Sequence, residues 1–170
     1  MRPVLVLVGP PGAGKTTVGT AVAAALDVPF LDTDHVVEAA AGKSVFEVFV
    51  DDGEQAFRAL EREAVTRSLT EHDGVLALGG GAVLDPVSRA ELSGQRVVSL
   101  QVGLPDAVRR VGMARDRPLL IDSPRARMSA MLRDRAPLYA EVAGITIDTS
   151  GRPPDEIVQE VLAWTSSASR

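Results

Sequence analysis

The chain has 170 residues, of which 45% are hydrophobic, and it carries a formal net charge of −5, which favours one folded domain and argues against disorder. The acidic balance without a basic stripe argues against nucleic acid as a partner, and the absence of cysteine excludes disulfides and thiolate metal sites. Apolar runs of about six residues are far shorter than the roughly 20 that a membrane span needs, so we expect no membrane partner, a cytoplasmic location and a monomer.

Apolar segments alternate between strand and helix patterns along the chain. In chain order, we expect a strand at 3–8, a helix at 15–26, a strand at 29–31, helices at 34–41, 45–50 and 53–71, a strand at 75–78, a helix at 86–92, a strand at 96–101, helices at 104–111 and 125–135, a strand at 145–148 and a helix at 153–164. Gly42 and Pro137 are expected to end helices, and Ser44 to cap one. Strands separated by helices indicate a single domain, an α/β three-layer sandwich with a five-stranded parallel sheet.

The run Gly9–Thr17, which we call the phosphate loop, matches the pattern G-x-x-x-x-G-K-[ST]. It lies between a β-branched strand and an amphipathic helix, which is the context that the motif requires. Its glycines let backbone N–H groups turn onto the phosphates of a nucleotide, Lys15 supplies a positive charge, and the Thr16 hydroxyl can hold Mg²⁺. A glycine-rich turn with a chance lysine is the alternative, but the flanking elements favour nucleotide binding.

Polar or glycine-rich segments follow the next two predicted strands, at the sheet edge where ligands gather. If the segment after the second strand stays extended, Asp32 and Asp34 point the same way, one towards magnesium and the other towards an acceptor hydroxyl. The alternative is that one of them only caps the next helix. Gly79, Gly80 and Gly81, the glycine loop, favour close approach of a ligand to the backbone over an ordinary loop.

Several short segments together carry a family resemblance. They are Gly9–Thr17, Asp32–Asp34, Gly42–Val45 with Phe49, Gly53 and Glu54 with Phe57, Arg58 and Glu61, Leu78–Val83, Arg117–Leu120, and Arg135–Tyr139. In this order and spacing the chain resembles the shikimate kinases over nearly its full length. The resemblance implies a P-loop NTPase fold of the nucleoside monophosphate kinase type. It also implies ATP-dependent phosphorylation of shikimate at the 3-hydroxyl, in aromatic amino acid biosynthesis, with Mg²⁺ as cofactor.

The resemblance further implies roles for individual residues. Asp34 would bind ring hydroxyls and take a proton, Arg58 and Arg135 would clamp the ring carboxylate, and Arg117 would close a lid at about 112–124 over the phosphates. The implied shikimate-binding set, within a subdomain at about 34–61 and beyond it, is Asp34, Phe49, Phe57, Arg58, Gly79, Gly80, Gly81 and Arg135. The implied nucleotide-binding set is Gly12, Ala13, Gly14, Lys15, Thr16, Thr17, Arg110, Arg117 and Pro154. Thr16 and Asp32 match the magnesium positions, and the implied catalytic set is Asp34, Lys15 and Arg117.

Each of these roles has an alternative in the residues themselves. Arg58 and Arg135 lie on predicted helices, where surface salt bridges are common and weak. Phe49 and Phe57 also suit an ordinary core. Arg115 competes with Arg117 for the lid role, and of the adjacent Arg109 and Arg110 only one can face the adenine.

Two rival functions share the phosphate loop. The first is another small-metabolite kinase, acting on gluconate or a nucleoside monophosphate, which would differ in the acceptor pocket. The second is a nucleotide switch that controls a partner protein. A guanine switch normally reads its base with an Asn-Lys-x-Asp segment, and this chain contains no asparagine, so only an adenine-binding regulator stays open in that class.

Overall fold

The structure is a computed structural model and describes residues 2–111 and 124–167. Five parallel strands form one sheet in the order β2-β3-β1-β4-β5. The strands are β1 (Leu5–Val8), β2 (Phe30–Asp32), β3 (Val75–Ala77), β4 (Val97–Gln101) and β5 (Ile145–Asp148). The helices are α1 (Lys15–Leu26), α2 (Thr33–Ala41), α3 (Val45–Asp52), α4 (Glu54–Glu71), α5 (Pro86–Glu91), α6 (Leu104–Val111), α7 (Pro124–Val142) and α8 (Pro154–Ser167).

The central strand β1 divides the core into two layers. Its register pairs Leu5 with Val75 of β3 and Val6 with Val97 of β4. Because successive side chains of a strand point to opposite faces, Leu5 and Leu7 belong to one buried cluster, with side chains of α1, α6 and α8. Val6 and Val8 belong to the other cluster, with side chains of α4 and α7. The predicted α/β three-layer sandwich with a five-stranded parallel sheet is thereby confirmed.

A third, smaller apolar cluster lies among α2, α3 and α4. It is formed by Val37, Val48, Phe57 and Ala64, with Phe49 and Leu60 packed against it. Ser44 and Glu47 make a capping box at the start of α3: the Ser44 hydroxyl accepts from the Glu47 N–H, and the Glu47 carboxylate accepts from the Ser44 N–H. Apart from Ala64, the residues named in this cluster lie within residues 34–61, the segment predicted to surround the acceptor.

The prediction that Pro137 ends the helix near Arg135 is wrong, because α7 continues through the proline to Val142. Proline removes one helical hydrogen bond. Beyond it, however, Leu138, Tyr139 and Val142 belong to or pack against the buried cluster of β1 and α4, and this burial keeps the last turns helical. Strand β2 lies one residue later than predicted, and a 3-10 turn at Ala82–Leu84 was not expected.

The proposed lid at about 112–124, with Arg117 and Arg115, lies outside the described residues except for Pro124, where α7 begins. Within the described ranges, none of the helices combines the length and apolar character that crossing a bilayer requires.

Candidate active site

The phosphate loop connects β1 to α1 and already has a closed conformation. Gly12 and Gly14 adopt φ of +82° and +95°, a region that side chains disfavour, so the motif's glycines are needed for the turn. The Lys15 ammonium donates to the carbonyls of Gly9 at 2.7 Å and Pro10 at 3.0 Å. Ala13 is buried, whereas Thr16 and Thr17 are exposed at the start of α1.

Asp32 links the phosphate loop to α2. The segment does not stay extended as the shared-direction hypothesis required, because α2 begins at Thr33. One oxygen of Asp32 caps that helix by accepting from the Asp34 N–H at 2.9 Å, and the other lies 3.4 Å from the Thr16 hydroxyl. Asp32 therefore acts as a cap and also faces the phosphate loop, while Asp34 reaches a different neighbourhood.

That neighbourhood is the glycine loop. A Cβ on Gly79 would lie 2.7 Å from an Asp34 carboxylate oxygen and 2.8 Å from one of Glu61, and a Cβ on Gly81 would overlap the Arg58 guanidinium. The Gly79 N–H donates to the buried Thr33 hydroxyl at 3.0 Å. The glycines were predicted to admit a ligand; in the structure they already admit the protein's own charged side chains.

Arg58 is held on three sides. Its guanidinium lies 2.6 Å from Glu61 and 3.6 Å from Glu54, and its Cζ lies 5.2 Å from the centre of the Phe57 ring. The Phe57 ring is 4.5 Å from that of Phe49. Arg58 is therefore not a loose surface residue, and the two aromatic rings both belong to the small cluster and flank the arginine.

Glu61 occupies the centre of this charged group and is only 3% exposed. Burial raises the pKa of its carboxyl above the ordinary value, as does the charge of Asp34, while the charges of Arg58 and Arg135 lower the pKa; the direction overall is upward. The sequence interpretation gave Glu61 no role. Its spacing of three residues from Arg58 on a predicted helix was the signal that could have found it.

Tyr139 reaches the glycine loop from α7, and Arg135 on the same helix lies close enough to Glu61 and Tyr139 to act on their pKa values. They are four residues apart and so lie on one helix face. The Tyr139 hydroxyl donates to the Gly80 carbonyl at 2.5 Å, and burial raises the pKa of this phenol, while a hydrogen bond and the charge of Arg135 oppose the rise. Tyr139 lies within a segment that carries the family resemblance, but the sequence interpretation gave it no role.

Arg110 stands behind the phosphate loop. It donates to the carbonyls of Gly12 at 2.9 Å and Thr149 at 3.2 Å, and the Thr149 hydroxyl donates to the Ala13 carbonyl at 3.1 Å. Arg109 is 70% exposed and pairs with Asp106, so of the two adjacent arginines it is Arg110 that contacts the loop. Pro154, the remaining nucleotide-side candidate, is exposed as the first residue of α8.

The residue types suit two oxygen-rich ligands, one beside the phosphate loop and one beside the glycine loop. One side offers backbone N–H groups, Lys15 and the Thr16–Asp32 oxygen pair, which fit a phosphate chain with a hard cation. The other side offers Asp34, Arg58 and Arg135, which fit hydroxyls and a carboxylate. Among residues 2–111 and 124–167, no three His, Asp or Glu side chains form a metal cluster, so a cation would depend on water and phosphate for its other ligands.

Comparison with known proteins agrees with this geometry. Residues 11–166 match the family model described as shikimate kinase. A shikimate kinase of Frankia casuarinae is 59% identical over 94% of this chain and 71% of its own length. A shikimate kinase of Salinispora arenicola is 58% identical over 96% of this chain and 98% of its own length.

A solved structure agrees as well. The shikimate kinase from Acinetobacter baumannii in complex with shikimate is 35% identical, with a TM-score of 0.93, over 99% of this chain and 94% of that one. Because the family model and these relatives span almost the whole chain, the chain belongs to the shikimate kinase family.

Proposed function

We propose that this chain transfers the γ-phosphoryl group of ATP to the 3-hydroxyl of shikimate, giving shikimate 3-phosphate and ADP. The observation that carries the proposal is the convergence of Asp34, Arg58 and Glu61 on the glycine loop, next to the phosphate loop. A kinase for an uncharged acceptor has no need of an arginine held beside two carboxylates at this place. Family membership supports the same acceptor.

On the nucleotide side, Lys15 is the residue that changes partner. Its present bonds to the Gly9 and Pro10 carbonyls are replaced by bonds to the outer phosphates when ATP binds, because charge-assisted bonds are the stronger ones. Gly12 to Thr17 surround the phosphates with backbone N–H groups. Arg110 and Pro154 flank the adenine, and Arg110 also steadies the loop through the Gly12 carbonyl.

Thr16 and Asp32 fit a magnesium ion that accompanies the nucleotide. Their side-chain oxygens lie 3.4 Å apart at the exposed start of α1, and hard oxygen donors are what Mg²⁺ prefers. When bound, the ion would neutralise charge on the phosphates. We assign Thr16 to direct contact and Asp32 to contact through water.

On the acceptor side, Arg58 and Arg135 hold the ring carboxylate, and Asp34 orients the ring hydroxyls. Glu61 holds Arg58 in place through the 2.6 Å ion pair. Phe49 and Phe57 form an apolar wall. Asp34 accepts the proton of the hydroxyl as it attacks the γ-phosphorus, which is the part of phosphoryl transfer that a carboxylate can assist.

We further propose a single kinase domain in which residues 34–61 form the acceptor subdomain and residues 112–124 form a lid that brings Arg117 over the phosphates. A lid excludes water, which is itself an acceptor and would waste ATP. Dependence on ATP supports a cytoplasmic location, and the acidic, unpatterned surface is compatible with a monomer.

An acceptor panel tests the proposal. The purified protein with ATP and Mg²⁺ is offered shikimate, gluconate and nucleoside monophosphates in an assay that couples ADP release to NADH oxidation. We expect turnover with shikimate alone. Equal turnover of gluconate would refute the acceptor assignment, and ATP hydrolysis that no acceptor stimulates would favour the adenine-binding regulator.

The role of Asp34 has its own test. Asp34→Asn keeps the volume and removes the base, so kcat is expected to fall by about 10²- to 10⁴-fold while ADP affinity stays unchanged. Asp73→Asn, which alters an exposed carboxylate before β3, is the matched control and should behave as wild type. Wild-type kcat in the Asp34 variant would remove this residue from the chemistry.

A further inference from the structure

We infer that Tyr139 is a positioning residue for the acceptor. Its hydroxyl holds the glycine loop in the position that lets Asp34, Arg58 and Arg135 all contact the substrate. The inference rests on the proposed function, and it assigns a role to a residue that touches neither substrate nor nucleotide in that proposal. Four features of the structure around the phenol support this role.

The first observation is that the phenol is fixed by its surroundings. Tyr139 is 5% exposed and belongs to the buried cluster that includes Val6, Val8 and Val65. A tyrosine hydroxyl is retained in such a place only when it finds a hydrogen-bond partner. The partner is the Gly80 carbonyl at 2.5 Å, so the rigid ring fixes the position of the loop's middle residue.

The second observation is that Gly80 lies between α7 and the phosphate loop. A Cβ on Gly80 would lie 2.9 Å from Cδ of Pro11, so the two loops touch directly. Behind this contact, Tyr139 and Pro10 line a cavity of about 190 Å³. The hydrogen bond from Tyr139 therefore acts on the middle residue of the glycine loop, next to the point where this loop contacts the phosphate loop.

The third observation is that the glycine loop has a second anchor. The Gly79 N–H donates to the Thr33 hydroxyl at 3.0 Å, and Thr33 is fully buried at the start of α2. Gly79 touches the Asp34 and Glu61 carboxylates, and Gly81 touches the Arg58 guanidinium. If either anchor is lost, the glycine loop is therefore expected to shift, and the acceptor-binding side chains that pack against it are expected to shift with it.

The fourth observation concerns Arg135, one turn before Tyr139 on the same face of α7. The positive charge of Arg135 lies close enough to the phenol to act on its pKa, which burial raises and Arg135 lowers. Because the phenol hydrogen is given to Gly80, the oxygen lone pairs are free to accept from Arg135. The hydroxyl that holds the glycine loop therefore also lies near an arginine of the carboxylate clamp, and neither Gly80 nor Arg135 belongs to the set proposed to hold the nucleotide.

The test is Tyr139→Phe, which keeps the ring and removes the hydroxyl. We expect the KM for shikimate to rise about tenfold, since a hydrogen bond to a buried carbonyl is lost, with kcat and the KM for ATP within about twofold of wild type. Calorimetric titration with shikimate and with ADP, each alone, should show the same difference: weaker binding of shikimate and unchanged binding of ADP. A variant with wild-type affinity for shikimate would overturn the inference.

A matched control separates positioning from general loss of stability. Thr165→Val also removes a buried hydroxyl, one that donates to the Val161 carbonyl within α8 at 2.8 Å, and it should lower the melting temperature without changing either KM. If Tyr139→Phe weakens ADP and shikimate binding equally, the hydroxyl serves only overall stability and the inference fails.

Thr33→Val supplies a second variant should Tyr139→Phe not fold. It releases the other anchor of the glycine loop and is expected to raise the KM for shikimate selectively; equal loss of ADP affinity would count against the inference. The wild-type assay distinguishes the two levels of the argument. Wild-type protein that does not phosphorylate shikimate refutes the proposed function, whereas an active wild type with an unchanged Tyr139→Phe variant refutes the positioning role alone.

Discussion

At Gly81 the missing side chain is what lets Arg58 lie against the backbone. A Cβ there would overlap both terminal nitrogens of the guanidinium, and Arg58 cannot simply rotate away because Glu61 holds it at 2.6 Å. The close approach of charged groups to backbone, rather than turn geometry, explains this glycine, since its φ of −96° is open to any residue.

Gly81→Ala is therefore expected to displace Arg58 and raise the KM for shikimate by about tenfold or more, because a charge-assisted hydrogen bond to the ring carboxylate contributes about 1.5–3 kcal/mol. ATP affinity should not change. Gly94→Ala is the contrast: Gly94 has φ of +83° and open space around it, so the alanine should lower the free energy of unfolding by about 1–2 kcal/mol without changing either KM. Steady-state kinetics of both variants measure the effect on each KM, and urea denaturation measures the effect on stability. Unchanged shikimate kinetics in Gly81→Ala would mean that Arg58 does not bind the acceptor.

Two opposed effects act on the ionisation of the Glu61 carboxyl. Its burial at 3% exposure disfavours the ionised carboxyl, and the Arg58 ion pair favours it. Burial is the larger effect on the pKa, which lies above the ordinary 4.5. A carboxyl with a raised pKa binds more protons when folded than when unfolded, so its contribution to stability falls as pH rises from about 4.5 through the folded-state pKa.

Comparison of wild type with Glu61→Gln isolates this effect, because glutamine does not titrate. The difference in unfolding free energy, wild type minus variant, should shrink as pH increases above about 4.5. Urea denaturation at intervals from pH 4.5 to 8 measures it. A difference that grows with pH would show that the Arg58 ion pair outweighs burial.

Among the elements, α3 depends for its stability on Ser44, the residue that caps its N-terminus. It has only eight residues, a length that is marginal for an isolated helix. The Ser44–Glu47 capping box satisfies the N–H groups at its start. Because α3 carries Val48 and Phe49 into the small cluster with Phe57, the cap also supports the apolar wall of the acceptor pocket.

Ser44→Ala should lower the free energy of unfolding by about 1 kcal/mol and raise the KM for shikimate slightly, since Phe49 is less well held. Ser44→Asp retains a side chain that can cap the helix, and it should restore most of the stability. Chemical denaturation of the three proteins gives the comparison. Equal stability of Ser44→Ala and wild type would show that the cap contributes nothing.

Helix α7 continues past Pro137, although a proline locally favours the end of a helix. Pro137 removes one hydrogen bond, yet burial of Tyr139 against the sheet continues the helix to Val142. The consequence for the site is large. Only a helix that runs past the proline places Arg135 and Tyr139 on one face, four residues apart, so that Tyr139 reaches the glycine loop while Arg135 lies near Glu61.

At the scale of the whole molecule, the order of the strands brings the nucleotide-side and acceptor-side residues together. β1 lies between β3 and β4, so the phosphate loop that follows β1 lies beside the glycine loop that follows β3. Asp32, the last residue of β2, faces the phosphate loop through Thr16. A nucleotide that binds the native state alone stabilises the molecule by mass action.

Lysine substitution tests this linkage, because the chain has only Lys15 and Lys43. ADP with Mg²⁺ at 100 times its Kd should raise the wild-type melting temperature by about 5–10 °C, which corresponds to about 2.7 kcal/mol. In Lys15→Ala at the same ADP concentration, the shift should fall to about half or less, since a charged hydrogen bond to phosphate is lost. Lys43→Ala removes a lysine paired with Asp51 and Asp52 on α3 and should keep the full shift. A full shift in Lys15→Ala would contradict the assignment of the loop.

The sequence alone determined the features that depend on neighbours along the chain. The phosphate loop, with Lys15 and Thr16, is a run of nine residues whose glycines and flanks define its conformation locally. The alternation of strands and helices predicted the layered parallel sheet for the same reason. Ser44 as a cap and Gly42 as a helix end are likewise local, and the structure has both.

Only the tertiary structure decided the contacts between distant segments. Tyr139 and Gly80 are 59 positions apart and Thr33 and Gly79 are 46 apart, so no local pattern pairs them. The continuation of α7 past Pro137 was decided by burial against the sheet, which outweighs one lost hydrogen bond. The contact of Asp32 with Thr16 and the central place of Glu61 follow in the same way, because the order of the strands and the packing of α4 determine which side chains become neighbours.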